Sequence, residues 1–262
     1  MFRNFGQLFY VTLPVAILLA FFYNPRLEIS LFVSLVNGQL DMDNYSQALG
    51  QALSVLRFGK YWWVSLIAVV VLVVAMCVMV VKIDRHMRVG QMPVLPLRRS
   101  FGLLPSMLLY VVSWIVATEL FMLIPLGAAY ILRFVGNATA IVFLALGFTV
   151  VIRCFLSYIF ALLIISFPLK YSENYRFNVA LAHSARIMSP RKGKLLLIAV
   201  AYPMLRIAVM ALAYLLQPIN LDVLLYAVAE LLCLTYVPCF AFKQYYDDVG
   251  GERRDVGQIM FG

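Results

Sequence analysis

The sequence predicts an all-α polytopic membrane bundle, with six transmembrane helices and amphipathic helices at the interface. Three observations predict it. Hydrophobic residues make up 64% of the 262 residues, against roughly 45–50% in soluble domains. Charged residues are 13%, about half the usual ~25%. The apolar residues gather into runs long enough to cross a hydrocarbon core, which takes ~20 residues. A soluble domain of this size could not hide so much apolar surface. A disordered tail, a disulfide-stapled secreted module and a nucleic-acid binder are disfavoured on the same grounds. The whole chain, 1–262, reads as one integral membrane domain, with spans at about 8–23, 61–81, 103–132, 138–168, 195–216 and 224–242.

The first span follows Arg3 and contains Pro14, which can kink it. Its start resembles a signal peptide, but no small-x-small cleavage site follows Tyr23-Asn24-Pro25, so an uncleaved span is expected. Residues 24–60 are the longest stretch outside the spans. Ile29 to Val36 is apolar and too short to cross. Asp41-Met42-Asp43-Asn44 offers a helix start, and Tyr45, Leu49, Ala52 and Leu56 follow at helical spacing. One or two amphipathic helices at the interface are expected here, with a re-entrant segment as the alternative.

Trp62 and Trp63 anchor the outer end of the second span. Lys82-Ile83-Asp84-Arg85-His86-Met87-Arg88 closes it, and residues 82–102 read as a polar, broken loop carrying Gly90, Pro93, Pro96 and Arg98-Arg99. The third run is about 45 Å long as a straight helix at 1.5 Å per residue, more than the ~30 Å core. Pro105 and Pro125 allow it to bend or to begin inside the interface, and Asn137 ends it. The fourth run is equally long. Ser172-Glu173 can cap a cytoplasmic amphipathic helix running to Ser189, where Pro190 and Gly193 end it. Phe177, Leu181, Ser184 and Met188 share one face of that helix, with His183 and Arg186 near another. The fifth and sixth spans follow, then a short charged tail from Lys243.

Lys and Arg number 21 and Asp and Glu 12, a formal charge of +9. With the N-terminus inside, the inner segments carry fifteen Lys and Arg and the outer segments four. That bias puts both termini in the cytoplasm of a cell-membrane protein, with the basic residues against anionic lipid. Membrane lipids are therefore expected partners, beside a membrane-protein partner or a second copy of the chain, and nucleic acid is not. Cys77, Cys154, Cys233 and Cys239 lie in apolar runs with no CxxC pair, and read as small buried side chains.

Residues 82–102 and 170–197 carry a resemblance. Lys82-Ile83-Asp84-Arg85 with Gly90 resembles the turn after a span in the YciC-like and DUF975-like bacterial membrane proteins. Those are similar to the membrane domain attached to some glycerophosphodiester phosphodiesterases. Phe177-Asn178-Val179-Ala180-Leu181-Ala182-His183-Ser184-Ala185-Arg186 resembles the same family's amphipathic helix, followed by a basic turn and another span. The resemblance covers about residues 45–245 and implies a helical membrane module. It carries over no catalytic residue, because the family's phosphodiesterase chemistry sits in a separate soluble domain. The longest non-spanning stretch here, residues 24–60, leaves no room for one.

Four ionisable residues fall inside the expected spans: Glu119, Arg153, Arg206 and Glu230. A charge at the bilayer centre costs at least ~2.5–3.5 kcal/mol, so such residues face protein or water and pair. Glu119–Arg153 and Arg206–Glu230 are the simplest pairings, since short connections make neighbours; a single four-charge cluster is the alternative. They read either as a polar path or binding cavity at the midplane, with Arg holding an anionic group, or as structural ion pairs. Tyr110, Trp114, Tyr130, Tyr158, Tyr202, Tyr214, Tyr226 and Tyr236 lie within or near spans, as belt residues or as the lining of a cavity. Pro203 and Pro238 permit bending of the last two spans.

No GxSxG, HExxH, P-loop or Asp-rich magnesium motif occurs, and both histidines, His86 and His183, fall in expected loops. No enzyme, metal or cofactor is expected. Two readings remain. One is a non-enzymatic protein of envelope or lipid homeostasis, or an accessory subunit, with His183, Arg186, Arg191, Lys192 and Lys194 facing a partner or the lipid surface. The other is a small carrier or channel for an anionic solute that uses the midplane Arg and Glu.

Overall fold

The computed structural model describes residues 5–22, 32–37, 62–90, 100–134, 136–188, 193, 197, 200–205, 208–209, 212 and 222–249. Among them the regular elements are all helical. They are α1 (Phe5–Phe22), α2 (Trp62–Val89), α3 (Leu104–Leu132, entered through a 3-10 turn at Phe101–Leu103), α4 (Ala138–Leu163), α5 (Ser166–Glu173), α6 (Phe177–Met188) and α7 (Asp222–Val249). Residues 32–36 and 200–205 are helical as well.

The Val69-Val70-Val71-Leu72-Val73-Val74 run of α2 would favour a strand in water, because β-branched side chains are stiff on a helix. In hydrocarbon a lone strand leaves its backbone unsatisfied, and the helix does not. Helix ends obey local chemistry. Asn137 caps α4 by accepting from the Thr139 N–H at 2.9 Å. Pro105 sits in the first turn of α3, where its missing N–H costs nothing. Gly90 ends α2 at φ 77°, its N–H bonded to the His86 carbonyl.

Four helical stretches are long and apolar enough to cross a membrane: Leu66–Val89, Phe101–Leu132, Ala138–Glu173 and Val223–Asp247. The apolar part of α1, Gly6–Ala20, is shorter. α2 is the central helix, packed against α1, α3, α5 and α7. Large apolar side chains on α3 and α4, among them Leu109, Leu120, Phe143 and Val151, are exposed, as lipid-facing positions are expected to be.

The direction of each helix follows from its contacts. Lys82 Nζ near the end of α2 donates to the Gln7 carbonyl near the start of α1, so these helices are antiparallel. Thr12 and Thr235 share a hydrogen bond at 3.1 Å, and Ala20 clusters with Tyr226 and Ala229, so α1 and α7 are antiparallel too. Tyr110 OH on α3 donates to the Phe160 carbonyl on α4 at 2.7 Å. Leu126 and Ala129 cluster with Ile141 and Ala145 at the other end of that hairpin. Val209 and Leu205 share a cluster with Tyr226, and Tyr202 bonds Glu230, so this segment runs antiparallel to α7. The starts of α1 and α3 and the ends of α2 and α7 therefore meet at one end of the bundle, together with α5 and α6.

Several expectations are corrected. The segment Lys82–Val89 is the last two turns of α2, not a loop, and His86 is buried on it. Asp84 and Arg88 pair one turn apart and hold the helix together there. The fourth run is not continuous: α4 ends at Leu163 and a turn at Ile164–Ile165 precedes α5. Pro168 explains the break, since its ring clashes with the carbonyl four residues back, at Ile164. Ser172 and Glu173 do not open the amphipathic helix. They close α5, and Asn174 turns the chain at φ 57° before α6 begins at Phe177. The sixth expected span, within α7, continues as helix through residues 243–249, because Gln244, Tyr245 and Tyr246 are buried. Only residues 32–37 of the expected interfacial stretch 24–60 are described. Phe32 and Leu35 are buried there against α3 and α4; the helix expected from Asp41 lies outside the described residues. Six spans are not established by the described helices, and most of 195–216 lies outside them.

The Thr12–Thr235 contact tests this arrangement. With the four native cysteines replaced by Ala, the pair Thr12→Cys and Thr235→Cys is expected to form a disulfide with a mild oxidant, read as a shift on non-reducing electrophoresis. A chain that stays reduced contradicts the α1–α7 packing.

Candidate functional site

Glu119 and Arg153 lie on helices that pack together. Glu119 is buried on α3, at 8% exposure, and Arg153 is half-buried on α4. The Tyr110–Phe160 hydrogen bond sets the register of these antiparallel helices. Nine residues on from Tyr110 and nine back from Phe160, Glu119 falls across from Val151, within one turn of Arg153. Glu230 on α7 is 2% exposed and accepts from Tyr202 OH at 3.2 and 3.4 Å. Arg206, its expected partner, lies outside the described residues.

Glu230 also lines a cavity of about 190 Å³ between α1, α2, α3, α4, α7 and Tyr202. The lining is mostly apolar, with Leu19, Ala68, Leu72 and Met76 on one side and Tyr110, Trp114, Phe160 and Tyr202 on the other. A ~150 Å³ apolar cavity in another protein admits benzene and stays dry, so this volume suits a compact apolar group. Of the eight aromatic residues expected at belts or a cavity, Tyr110, Trp114 and Tyr202 reach this lining. Tyr130 lies instead under the Arg133 guanidinium, 4.2 Å from its ring centre, and Tyr236 is exposed. Cys233 lines the cavity and Cys77 and Cys239 are buried; all four cysteines are free thiols.

A second polar cluster closes the end of the bundle where α2, α5 and α7 meet. Asp84, 3% exposed, accepts at one oxygen from three donors. They are Arg88 Nε at 3.1 Å, Tyr246 OH at 3.0 Å and Ser172 Oγ at 2.8 Å. Tyr246 OH also receives Arg88 Nε at 2.9 Å. Beside it Tyr245 OH donates to Glu173 at 2.6 Å. Lys170 donates to Ser106 and joins α5 to α3. A carboxylate with three donors from two other helices and its own next turn is satisfied despite burial. Sequence reasoning missed this cluster. Its signal was the i, i+4 spacing of Asp84 and Arg88, hidden by reading the charged run as a loop.

On α6, His183 and Arg186 are exposed and Ser184 is buried. Ser184 Oγ donates to the Leu162 carbonyl at 2.6 Å, fastening α6 to the end of α4. The His183 ring stacks on Tyr175, 5.5 Å between centres. Arg191, Lys192 and Lys194 lie outside the described residues. Among the described residues no three His, Cys, Asp or Glu side chains gather where a metal ion could bind. No family model, no curated protein and no solved structure matches the chain.

The Asp84 cluster sets an expected stability pattern. Asp84→Ala strands buried donors and is expected to cost about 3 kcal/mol, and Tyr246→Phe about 1–2 kcal/mol. Arg88 is nearly half exposed, so Arg88→Met is expected to cost under about 1 kcal/mol. The Asp84 and Tyr246 losses are expected to fall short of additivity by about 0.5–2 kcal/mol, read from reversible unfolding in mixed micelles. Full additivity contradicts the shared network.

Proposed function

We propose that this chain is a non-enzymatic integral membrane protein that holds an apolar or amphipathic molecule from the lipid phase within its bundle. It would serve envelope lipid homeostasis directly or as an accessory subunit. The observation that carries the reading is the cavity: bordered by several helices, apolar on most of its wall, and lined by residues of the apolar helices. A cavity of this kind takes apolar groups without desolvating polar ones. Its one charged lining residue among those described, Glu230, is an acid.

The fuller topology belongs to the same reading. Six spans, with both termini in the cytoplasm, follow from the bias of Lys and Arg. The alternating helix directions support it, as do the contacts of Tyr202, Leu205 and Val209, which run antiparallel to α7. The end closed by Asp84 is then cytoplasmic. There α6 lies at the lipid surface with His183 and Arg186 outward, and the basic residues Arg191, Lys192 and Lys194 follow. The family resemblance of residues 82–102 and 170–197 fits this module.

Two measurements test the reading. Native mass spectrometry of the protein released from its own membranes in mild detergent is expected to show a bound lipid or apolar molecule. Ala68→Phe, which fills the cavity from α2, is expected to lose it while remaining monodisperse. A bare chain, or a ligand unaffected by Ala68→Phe, contradicts the proposal. For topology, Gln217→Cys in a chain otherwise lacking cysteine is expected to react with an impermeant maleimide on intact cells, and Arg191→Cys is not. The reverse pattern overturns the assigned orientation.

A further inference from the structure

The cavity has a length and two unlike ends, and both follow from helix register. α2 and α7 each run antiparallel to α1, so they are parallel to each other. The Asp84–Tyr246 hydrogen bond puts those two residues about level. Counting back along both helices, Met76 falls level with Pro238, Leu72 with Leu234 and Ala68 with Glu230. All six line the cavity. They form layers about 6 Å apart, so this wall is about 12 Å long at 1.5 Å per residue.

The facing wall has a matching extent. Tyr110 meets Phe160 edge-on at 5.4 Å, Phe160 lies 6.5 Å from Trp114, and Trp114 lies 6.4 Å from Tyr202, whose OH reaches Glu230. Trp114 therefore stands at the Glu230 layer and Tyr110 and Phe160 one turn nearer the Asp84 end. Ile164 lies a further turn that way, and Ser157 is set back from Phe160 toward the Glu230 layer; both line the cavity. A ball of about 190 Å³ would be only about 7 Å across. Walls of about 12 Å around that volume make a slot along the helix axes.

The ends of the slot differ in chemistry. The layer nearest Asp84 is Met76, Ile164 and Pro238, without a hydroxyl or a charged group. The far layer holds the Glu230 carboxyl and the Tyr202 and Ser157 hydroxyls. A hydroxyl dissolved in hydrocarbon has no partner. Here it meets groups that accept and groups that donate, and a hydroxyl does both. Below it, methylenes fill a narrow slot with contacts on every side.

We infer that the cavity takes a straight-chain aliphatic alcohol. A chain of about eight to ten carbons fits its length, since a zigzag of ~1.5 Å bonds advances about 1.25 Å per carbon. The hydroxyl sits at Glu230, Tyr202 and Ser157, and the methyl end lies between Met76, Ile164 and Pro238. The inference rests on the reading of the cavity as a ligand site and adds the shape and direction of the ligand to it.

The test is photolabelling of the full chain in detergent with decan-1-ol carrying a diazirine at its third or its ninth carbon, with the labelled residues mapped by mass spectrometry. The third-carbon probe is expected to label the Ala68–Glu230 layer and the ninth-carbon probe the Met76–Pro238 layer. Unlabelled decan-1-ol is expected to displace both at a mole fraction in detergent at least tenfold below that of adamantan-1-ol, a compact alcohol of equal carbon number. Leu234→Trp, which plugs the middle layer, is expected to abolish labelling of the Met76–Pro238 layer. Both probes in one layer, the reverse order, or equal displacement by the two alcohols overturns the slot assignment and leaves the cavity reading standing; none of these needs a variant to fold. Labelling of the Met76–Pro238 layer that persists in a monodisperse Leu234→Trp chain overturns it as well. Labelling of no lining residue by either probe overturns the cavity reading and this inference with it.

Discussion

A bilayer offers no water to buried polar groups, and the rest of this structure depends on how one carboxylate meets that constraint. Asp84 sits at the end of the central helix and collects donors from its own next turn, from α5 and from α7. Because those donors come from different helices, the carboxylate fixes where the helices end relative to one another. Removing it would strand several buried donors at once, which is why its loss weighs more than that of any single surface ion pair. Lys82 reaching Gln7 and Lys170 reaching Ser106 tie α1 and α3 into the same end.

With that end closed by hydrogen bonds and the opposite end by the packing of Phe32 and Leu35 on the α3–α4 hairpin, the middle of the bundle is left looser. Ala68 on α2 and Ala161 on α4 are small where they line the cavity, beside Tyr110 and Trp114 of α3. Packed protein interiors tolerate few voids larger than a water molecule. An apolar volume of about 190 Å³ between helices is thus a feature that asks for an occupant. The closed end and the proposed ligand site are complementary: the first is held by polar contacts, and the second is walled mostly by apolar side chains and aromatic rings.

Much of the fold was legible in the sequence because lipid imposes a simple rule. Long apolar runs must be helices, and the runs at 103–132 and 224–242 correspond to α3 and most of α7. What the sequence hid were boundaries set by side-chain partners. The Lys82–Arg88 run looks like a loop by charge and is helical because Asp84, Arg88 and Tyr246 satisfy one another across 162 residues of chain. Tyr245 and Tyr246 look like part of a solvated tail and are buried for the same reason. The break at Ile164 needed attention to Pro168 and its fourth preceding carbonyl. At the candidate site, Glu119 and Glu230 were legible as ionisable residues out of place. Tyr110, Trp114 and Tyr202 were legible as aromatic residues of belts or of a cavity, but Phe160 and the joining of the four rings were not, because they come from three segments whose register no single stretch of sequence encodes.

The central claim is that the cavity beside Glu230 holds a molecule in the native membrane. A high-resolution cryo-electron microscopy structure of the protein, extracted with its own lipids and without added ligand, tests it most directly. The account predicts continuous non-protein density between the Trp114 and Tyr202 rings and the Glu230 carboxylate, with the side chains around it in the positions described. Side chains collapsed into the volume, leaving neither a cavity nor density, would contradict it.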